Sequence, residues 1–413
     1  MLDLAIIGAG PYGLTLAAHL QGAGLRFRVF GKTMESWKHR MPPGMLLKSH
    51  AWSSCLYHPE GKLTLEEFCR REGLDYAPTM LTPLEVFASY GDAFQKSFAP
   101  EVAEKNAVNI AAAPGGFRVA LDDGETVTAK RVVLAVGVHP FSYVPDELAT
   151  LPPAAVSHSA DYGPLESLDG REVIVVGAGA SATNLVALLH ERGVPASLVA
   201  RASKLDFAGP PGRFHRPLLR RVVRPRSGIG AGWLLWACSN APWLFHEAPG
   251  GLRRYVVRHT LGPLGGSPMR ERLIGKLPVR LGWDIERADF AKGRVELRLR
   301  NRRGETQVIA ADHVVAATGF RVDIERLAFL DPNLRRRIRT VGGAPVLSRD
   351  YETSAPGLHV IGPASADSFG PVARFVFGAY HPARRLARLF AADAARQPDT
   401  APREPALAAA KRA

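Results

Sequence analysis

The 413-residue chain contains few cysteines and no long apolar run. Cys55, Cys69 and Cys238 form no CxxC pair, which argues against a dithiol active site and favours a reducing compartment. No apolar stretch reaches the ~18–20 residues of a membrane-spanning helix, and the N-terminus has no signal-peptide pattern. No Ser-His-Asp set, carboxylate pair or metal-ligand spacing of His and Cys stands out. We therefore expect a cytoplasmic protein that uses neither a thiol pair nor a bound metal.

Acidic residues are the scarcer charged group. Lys and Arg number 53 against 39 Asp and Glu, which gives a net charge of +14. Residues 201–260 hold much of this excess, because eleven basic residues there accompany only Asp206 and Glu247. A basic segment beside a phosphate-bearing cofactor accounts for such a charge, and no nucleic-acid-binding motif accompanies it. We expect no nucleic-acid partner.

A glycine-rich turn follows the first apolar run. The sequence GAGPYG places Gly8, Gly10 and Gly13 in GxGxxG spacing around Pro11 and Tyr12. The run LAIIG before it predicts a strand, and LTLAAHL after it predicts a helix. Gly8 would form the tight turn, Gly10 would let the backbone approach a pyrophosphate, and Gly13 would let helix pack on strand. The pattern predicts a dinucleotide site at the helix N-terminus.

One residue expected in such a unit is absent. The second strand usually ends in an acidic residue that binds the ribose hydroxyls, but Gly31 occupies this position and Lys32 follows it. The ribose would then be bound by backbone, by water or by Glu35 from the next turn. We expect the missing acid to weaken one contact only.

A second glycine-rich turn lies in REVIVVGAGASATNLVALLHERGVPASLVAR. Gly177, Gly179 and Ala182 occupy its three turn positions, and the third position accepts alanine. The turn also contains Ala180 and Ser181. The strand after the helix ends in Arg201, with Lys204 close behind. A guanidinium there suits a 2′-phosphate and favours NADPH over NADH; the alternative is a solvated basic turn.

Two dinucleotide folds in one chain suggest electron transfer between FAD in the first and NADPH in the second. RVVLAVGVHP (131–140) and DHVVAATGFRVD (312–323) are buried-strand runs that connect the two folds. Residues 356–386 then predict a strand, a glycine turn and a helix from about Ala373. These segments add further candidate cofactor contacts, which are Val136, Gly137, Thr318, Gly319, Gly362, Phe369 and Gly370.

These patterns predict an α/β protein with two Rossmann-like dinucleotide-binding domains, the NADPH domain inserted into the FAD domain. The FAD domain comprises residues 1–142 and 312–396, and the NADPH domain residues 150–311. A proline-rich linker joins them. Residues 397–413 are rich in Pro and Ala, which predicts a disordered tail.

The order of the motifs resembles that of a known family. GxGxxG is followed by HSxxY at residues 158–162, by GAGASA at 177–182, by ATGF at 317–320 and by GLHVIGP at 357–363. This order is similar to that of the class B flavoprotein monooxygenases, which include flavin-containing monooxygenases and the N-hydroxylases of lysine and ornithine. Trp37 in MESW stands where that family usually has GGxW, so it is a further candidate cofactor contact.

The resemblance implies an activity. It implies tightly held FAD, NADPH as the hydride donor, and dioxygen trapped as a flavin C4a-hydroperoxide that oxygenates nitrogen or sulfur of a small molecule. Two alternatives remain open. One is a flavin NADPH oxidase or reductase that inserts no oxygen, and the other is a non-catalytic redox or nucleotide sensor.

Three residues are candidates for catalysis. Ser49 and His50 lie in MPPGMLLKSHAWSS, which would run near the flavin, and His158 lies in the hinge between the domains. The alternative for Ser49 and His50 is that they are hydrogen-bonded loop residues. The alternative for His158 is a structural histidine that caps the linker.

A basic aromatic segment, residues 205–260, follows the second fold. It contains Trp233, Trp236 and Trp243, flanked by arginines. We favour a lid that keeps water from the flavin. A core helix pair with a solvated basic face is one alternative, and contact with an anionic membrane surface is another, less favoured one.

Overall fold

Two largely parallel sheets organise the chain. The computed structural model describes residues 1–209, 222–262 and 264–396. Each sheet has a strand, a glycine turn, a helix and a parallel second strand at its centre. The predicted α/β class with two Rossmann-like folds is confirmed. The predicted tail at 397–413 and part of the basic aromatic segment lie outside the described residues.

The first sheet is built around Leu2–Ile7. This strand pairs in parallel with Phe27–Phe30 on one side and Thr126–Leu134 on the other. It is a continuous apolar run because both of its faces are covered, and Leu4, Ala5 and Ile6 are at most 1% exposed. The strand order is Val102–Ala103, Phe27–Phe30, Leu2–Ile7, Thr126–Leu134, Gly116–Leu121 and Ala107–Ala113, with Leu358–Val360 also paired to Thr126–Leu134.

The second sheet has five parallel strands. Their order is Val279–Leu281, Ala196–Ala200, Val173–Val176, His313–Ala316 and Val156–His158. His313–Ala316 pairs with Val173–Val176, so it belongs to this sheet, although the sequence analysis began the second part of the FAD domain at residue 312. All four residues of His313–Ala316 are buried, which explains why its apolar run fits beside Val173–Val176. The chain returns to the first sheet only after this strand.

Different layers cover the two faces of the second sheet. The helix Ala180–Glu191 packs Leu185, Val186 and Leu189 on one face. An antiparallel meander packs on the other face through alternate side chains of its middle strand, in line with a two-residue repeat. The strands of this meander are Trp283–Ala291, Arg294–Asn301 and Thr306–Ala311.

Shorter elements complete the described part of the chain. Three ribbons pair Leu46–His50 with Leu81–Pro83, Arg226–Ser227 with Gly230–Ala231, and Thr340–Val341 with Ala344–Pro345. The remaining α-helices are Pro11–Leu20, Glu35–His39, Leu65–Arg71, Leu84–Phe98, Asp146–Ala149, Trp233–Asn240, Pro242–Glu247, Gly250–His259, Met269–Leu273, Pro332–Arg336, Ala366–Phe369 and Tyr380–Arg396. None of the described helices is long and apolar enough to cross a membrane.

The C-terminal helix begins later than the sequence predicts. Two short 3₁₀ helices, Pro371–Arg374 and Val376–Ala379, precede Tyr380–Arg396, so the expected start near Ala373 is wrong. Phe375 is extended, with φ −121° and ψ 153°, and this residue interrupts the helical pattern. The interruption leaves residues 371–379 as a compact segment between the two domains.

Candidate functional site

The first glycine turn is closed on one side and open on the other. A Cβ atom on Gly8 would lie 2.3 Å from the Ala135 carbonyl oxygen, and one on Gly13 would lie 1.9 Å from the Gly8 carbonyl oxygen. A Cβ on Gly10 would meet nothing within 4 Å. The helix Pro11–Leu20 has no side-chain cap, so its first N–H groups are available to a phosphate. This geometry fits a dinucleotide pyrophosphate at Gly10.

The second turn has the same geometry. Gly177 has φ +146°, and a Cβ there would lie 2.3 Å from the Ala317 carbonyl oxygen. Gly179 precedes the helix Ala180–Glu191 without a side-chain cap. Ala182 is fully buried, which explains why only a small residue fits the third position. This turn also leaves a helix N-terminus available to phosphate.

A cavity of about 1440 Å³ reaches the first turn and, through Ala180 alone, the second turn. We call it the cofactor cavity. It is lined by the first turn, by the end of the second strand of each fold and by residues after Leu358–Val360. The predicted residues that line it are Gly8, Gly10, Pro11, Tyr12, Glu35, Trp37, Val136, Gly137, Ala180, Arg201 and Gly362.

Several predicted cofactor contacts do not line this cavity. They are Gly13, Gly177, Gly179, Ser181, Ala182, Lys204, Thr318, Gly319, Phe369 and Gly370. The Lys204 side chain is 76% exposed and pairs with Asp206 at 3.0 Å. The Thr318 hydroxyl donates to the Tyr143 carbonyl oxygen, and Phe369 stacks on Tyr351 at 3.7 Å between ring centroids. Thr318 and Phe369 therefore contact the surrounding structure, and Lys204 lies at the surface.

Glu35 lies where an acidic group is needed. Gly31 has φ +133°, and a Cβ on it would lie 3.2 Å from the Ala9 nitrogen, so the second strand ends against the first turn. Glu35 begins the next helix and lines the cofactor cavity. Its Oε2 atom is buried without a hydrogen-bond partner and lies 3.9 Å from His39 Nε2. An unpaired carboxylate oxygen here fits a ribose hydroxyl.

The three catalytic candidates do not line the cofactor cavity. Ser49 and His50 lie at the end of the strand Leu46–His50, and His50 Nδ1 is 2.8 Å from the Thr79 carbonyl oxygen. The structure thus places Ser49 and His50 in a ribbon beside the cavity, where their neighbour Lys48 is the residue that faces it.

His158 ends the strand Val156–His158 and contacts the loop that follows the neighbouring strand His313–Ala316. Its Nδ1 accepts a hydrogen bond from the Ala160 N–H at 3.1 Å. Its Nε2 must then carry the proton, and it donates to the Gly319 carbonyl oxygen at 3.0 Å. Burial is the main cause that lowers the pKa of His158. A neutral histidine with both nitrogens engaged acts here as a positioning residue.

Sequence reasoning missed several charged residues of the cavity. Lys48, Arg258, Arg321, Asp367 and Arg374 all line it. Burial first, and Arg374 second, lower the pKa of Lys48, whereas burial raises the pKa of Asp367 against the effect of nearby arginines. The pairing of the ribbon is irregular between Leu46 and His50, so regular strand alternation did not mark Lys48. The excess of basic groups suits phosphates.

One part of the basic aromatic segment is exposed to solvent, and another part lines the cofactor cavity. Trp233 and Trp236 are 58% and 39% exposed, and neither lines the cofactor cavity, so these side chains do not cover it. Their exposure also does not fit a core helix pair. The helix Gly250–His259 instead supplies Val257 and Arg258 to the cavity wall. Within the described residues, the part of this segment that borders the cofactor cavity is that helix.

Two dinucleotide-binding folds that open into one cavity define the class of protein, an oxidoreductase fold for two nucleotides. Residues 2–214 match the family model described as pyridine nucleotide-disulphide oxidoreductase, which is just over half of the chain. The chain therefore belongs to this family, and the predicted oxidoreductase class is confirmed.

The chain is also similar to a curated protein of known activity. The chain is 29% identical over 207 residues to the indole-3-pyruvate monooxygenase YUCCA1 of Oryza sativa subsp. japonica. The match covers 48% of this chain and 47% of that protein, so the chain spans about half the length of the curated relative. The similarity agrees with the predicted resemblance to flavin monooxygenases.

Solved structures share the fold over nearly the full length. The ornithine N-hydroxylase of Kutzneria sp. 744, described with reduced FAD, NADP⁺ and L-ornithine, has a TM-score of 0.75 at 16% identity, covering 95% of this chain and 100% of that chain. The bacillithiol disulfide reductase of Staphylococcus aureus has a TM-score of 0.63 at 16% identity, covering 95% and 98%. At these identities the likeness establishes the fold only, which includes monooxygenases and reductases alike.

Proposed function

We propose that the protein is an FAD- and NADPH-dependent monooxygenase that oxygenates nitrogen or sulfur of a small molecule. The observation that carries the proposal is the single cavity shared by the two dinucleotide turns. The names of the rice relative and of the Kutzneria protein, together with the FAD and NADP⁺ of the latter structure, support it.

The residues of the cavity suit two dinucleotides of different kinds. The open space above Gly10 and the unpaired oxygen of Glu35 fit the pyrophosphate and ribose of FAD. The uncapped helix at Ala180 and the Arg201 guanidinium fit the pyrophosphate and 2′-phosphate of NADPH. These residues would hold the two cofactors, which would supply hydride transfer and the reduction of dioxygen.

Other side chains would shape the reaction space. Trp37, Phe141, Phe320 and Val376 line the same cavity and would limit the access of water. Lys48 and Arg374 bring positive charge to it, which would favour anionic groups. His158 would hold Gly319, the residue before Phe320, through its Nε2–H. The chain thus contributes binding, orientation and exclusion of solvent.

The cysteines do not support a dithiol reductase. All three are free, none lines the cofactor cavity, and burial raises the pKa of each thiol. A thiol with a raised pKa is a poor nucleophile. A flavin NADPH oxidase or non-thiol reductase that inserts no oxygen is the remaining catalytic alternative.

The test measures NADPH consumption with a panel of small amines and thioethers, and counts hydrogen peroxide and oxygenated product separately. We expect at least one compound to yield oxygenated product in proportion to NADPH consumed. If every compound leaves peroxide as the sole product, the protein is an oxidase. If NADPH is not consumed at all, the sensor alternative replaces the proposal.

A further inference from the structure

A second cavity, of about 810 Å³, lies behind the cofactor cavity. Residues 369–378 separate the two cavities, because some residues of this segment line one cavity and some line the other. Residues 374–376 line the cofactor cavity, whereas Phe369, Val372 and Phe377 line the second cavity. One short segment therefore forms a shared wall, and we call the space behind it the rear cavity.

The shared wall is fixed to the first dinucleotide turn. The Tyr12 hydroxyl lies 2.9 Å from the carbonyl oxygens of both Ala373 and Phe375. A Cβ atom on Gly378 would lie 2.3 Å from the Val372 carbonyl oxygen, so the wall is closely packed there. The rear cavity is thus a separate space and not an extension of the cofactor cavity.

Aromatic rings surround much of the rear cavity. The ring centroid of Tyr57 lies 5.3 Å from that of Tyr380 and 6.3 Å from that of Phe377. Trp243 lines the opening and is 59% exposed. Rings at this spacing contact one another and form one aromatic wall, and a flat apolar ligand packed against this wall would gain offset and edge contacts in addition to the burial of apolar surface.

Four arginines line the rear cavity, and two have no carboxylate partner among the described residues. Arg349 pairs with Glu247 at 2.8 Å and Arg385 pairs with Asp350 at 2.6 Å. Arg384 donates to the Tyr380 hydroxyl at 3.0 Å. Arg388 lies one turn further along the same helix and lines the same cavity; its guanidinium forms no hydrogen bond or ion pair with another described residue. Arg384 and Arg388 therefore leave two uncompensated positive charges beside the rings.

Both histidines of the rear cavity have lowered pKa values, which favours their neutral forms near neutral pH. Burial, and then Arg385, lowers the pKa of His381 to about 4. Burial, and then Arg253, lowers the pKa of His246. The Ser239 hydroxyl is buried without a hydrogen-bond partner. The lining thus carries four arginines against the one carboxylate of Glu247.

We propose that the rear cavity is a second ligand site, distinct from the cofactor cavity, for an aromatic carboxylate. The ring of the ligand would pack among Tyr57, Phe377 and Tyr380. Its carboxylate would accept hydrogen bonds from Arg384 and Arg388, and a guanidinium fork matches a carboxylate geometrically. The inference does not depend on the reaction proposed above.

Calorimetric titration with 2-naphthoate tests the proposal, on protein saturated with FAD and NADP⁺ so that the cofactor cavity is filled. The neutral isostere 2-naphthamide is the matched ligand control. We expect saturable binding of the acid, and binding of the amide weaker by about tenfold or more, because hydrogen bonds to charged groups are the strong ones. Absence of saturable naphthoate binding, or equal binding of acid and amide, would overturn the proposal.

Variants then locate the site. Arg384→Met and Arg388→Met, singly and together, should weaken naphthoate binding while leaving 2-naphthamide unchanged, and both side chains are exposed, so folding should be preserved. Trp243→Leu should weaken both ligands. Arg396→Met, on the same helix but away from the rear cavity, is the charge-matched control. Equal effects of Arg396→Met and Arg388→Met would show that only net charge matters and would contradict the assignment.

Discussion

In the first fold, Gly31 occupies the position of the usual acidic residue, and Glu35 supplies a carboxylate nearby. The close approach of Gly31 to the Ala9 nitrogen excludes a side chain where an acid usually stands. Glu35 is the first residue of the next helix and lines the same cavity, and its buried Oε2 atom has no hydrogen-bond partner. We propose that the Glu35 carboxylate binds the ribose from this different position.

Arg201 and Lys204 make a matched pair for testing nucleotide choice. Arg201 lines the cofactor cavity, and Lys204 pairs with Asp206 outside it. We expect Arg201→Ala to raise the KM for NADPH roughly 10- to 100-fold while changing that for NADH little, because only NADPH has a 2′-phosphate. Steady-state kinetics with both nucleotides measures this. Lys204→Ala should change neither, and a larger effect of Lys204→Ala than of Arg201→Ala would reverse the assignment.

At the scale of elements, two glycines of the first turn should affect different properties, Gly13 the stability of the fold and Gly10 the binding of FAD. Gly13 has the Gly8 carbonyl oxygen 1.9 Å from the position of a Cβ, whereas Gly10 has open space and an ordinary φ of −89°. Gly13→Ala should lower the free energy of unfolding of the apoprotein by at least ~1–3 kcal/mol. Gly10→Ala should leave it within ~0.5 kcal/mol but weaken FAD binding, because the methyl group occupies the space of the pyrophosphate.

Urea unfolding of the apoprotein and titration with FAD measure the two quantities. The contrast between the variants is what matters. If Gly10→Ala binds FAD as the native protein does, the space above Gly10 is not the pyrophosphate site. If Gly13→Ala is as stable as the native protein, the turn adjusts more easily than its packing indicates.

Elements with a strong local pattern could be predicted from the sequence, and those set by distant contacts could not. Both glycine turns and their helices follow from apolar runs beside GxGxxG spacing. The sheet that takes up His313–Ala316 depends on its pairing with Val173–Val176, which no local pattern records. The late start of the helix Tyr380–Arg396 follows from the extended Phe375, whose carbonyl oxygen lies 2.9 Å from the hydroxyl of the distant Tyr12.

The same distinction applies to the site. Glycines at fixed spacing and Arg201 at a strand end were identifiable, because the chemistry of phosphate binding dictates their positions. Lys48, Arg258 and Asp367 reach the cofactor cavity from three separate segments, and only the folded chain brings them together. Ser49 and His50 were one and two positions away from the residue that faces the cavity.

At the scale of the whole molecule, buried histidines make stability depend on pH. The folded-state pKa of His381, about 4, lies below its ordinary value of 6.5. His381 therefore binds a proton more readily in the unfolded chain than in the folded chain. Its contribution to the free energy of unfolding is complete above about pH 6.5 and is lost as pH falls towards 4. The loss amounts to up to roughly 3 kcal/mol.

We expect His381→Asn to lose less stability than the native protein between about pH 7 and pH 4.5, because the group that titrates is removed. Urea unfolding at the two pH values measures the difference. His190→Asn, at an exposed position, should leave the pH dependence as it is. An unchanged pH dependence in His381→Asn would show that this histidine is not the buried titrating group.

The central claim is that the two dinucleotide folds serve one reaction space. Anaerobic mixing of the FAD-loaded protein with NADPH tests it most directly, with the visible absorbance of the flavin as the signal. The shared cavity predicts that NADPH bleaches the bound flavin rapidly, and that Arg201→Ala slows the bleaching at limiting NADPH while a chemical reductant still bleaches it. Flavin that stays oxidised with NADPH, yet is reduced by the chemical reductant, would contradict the claim.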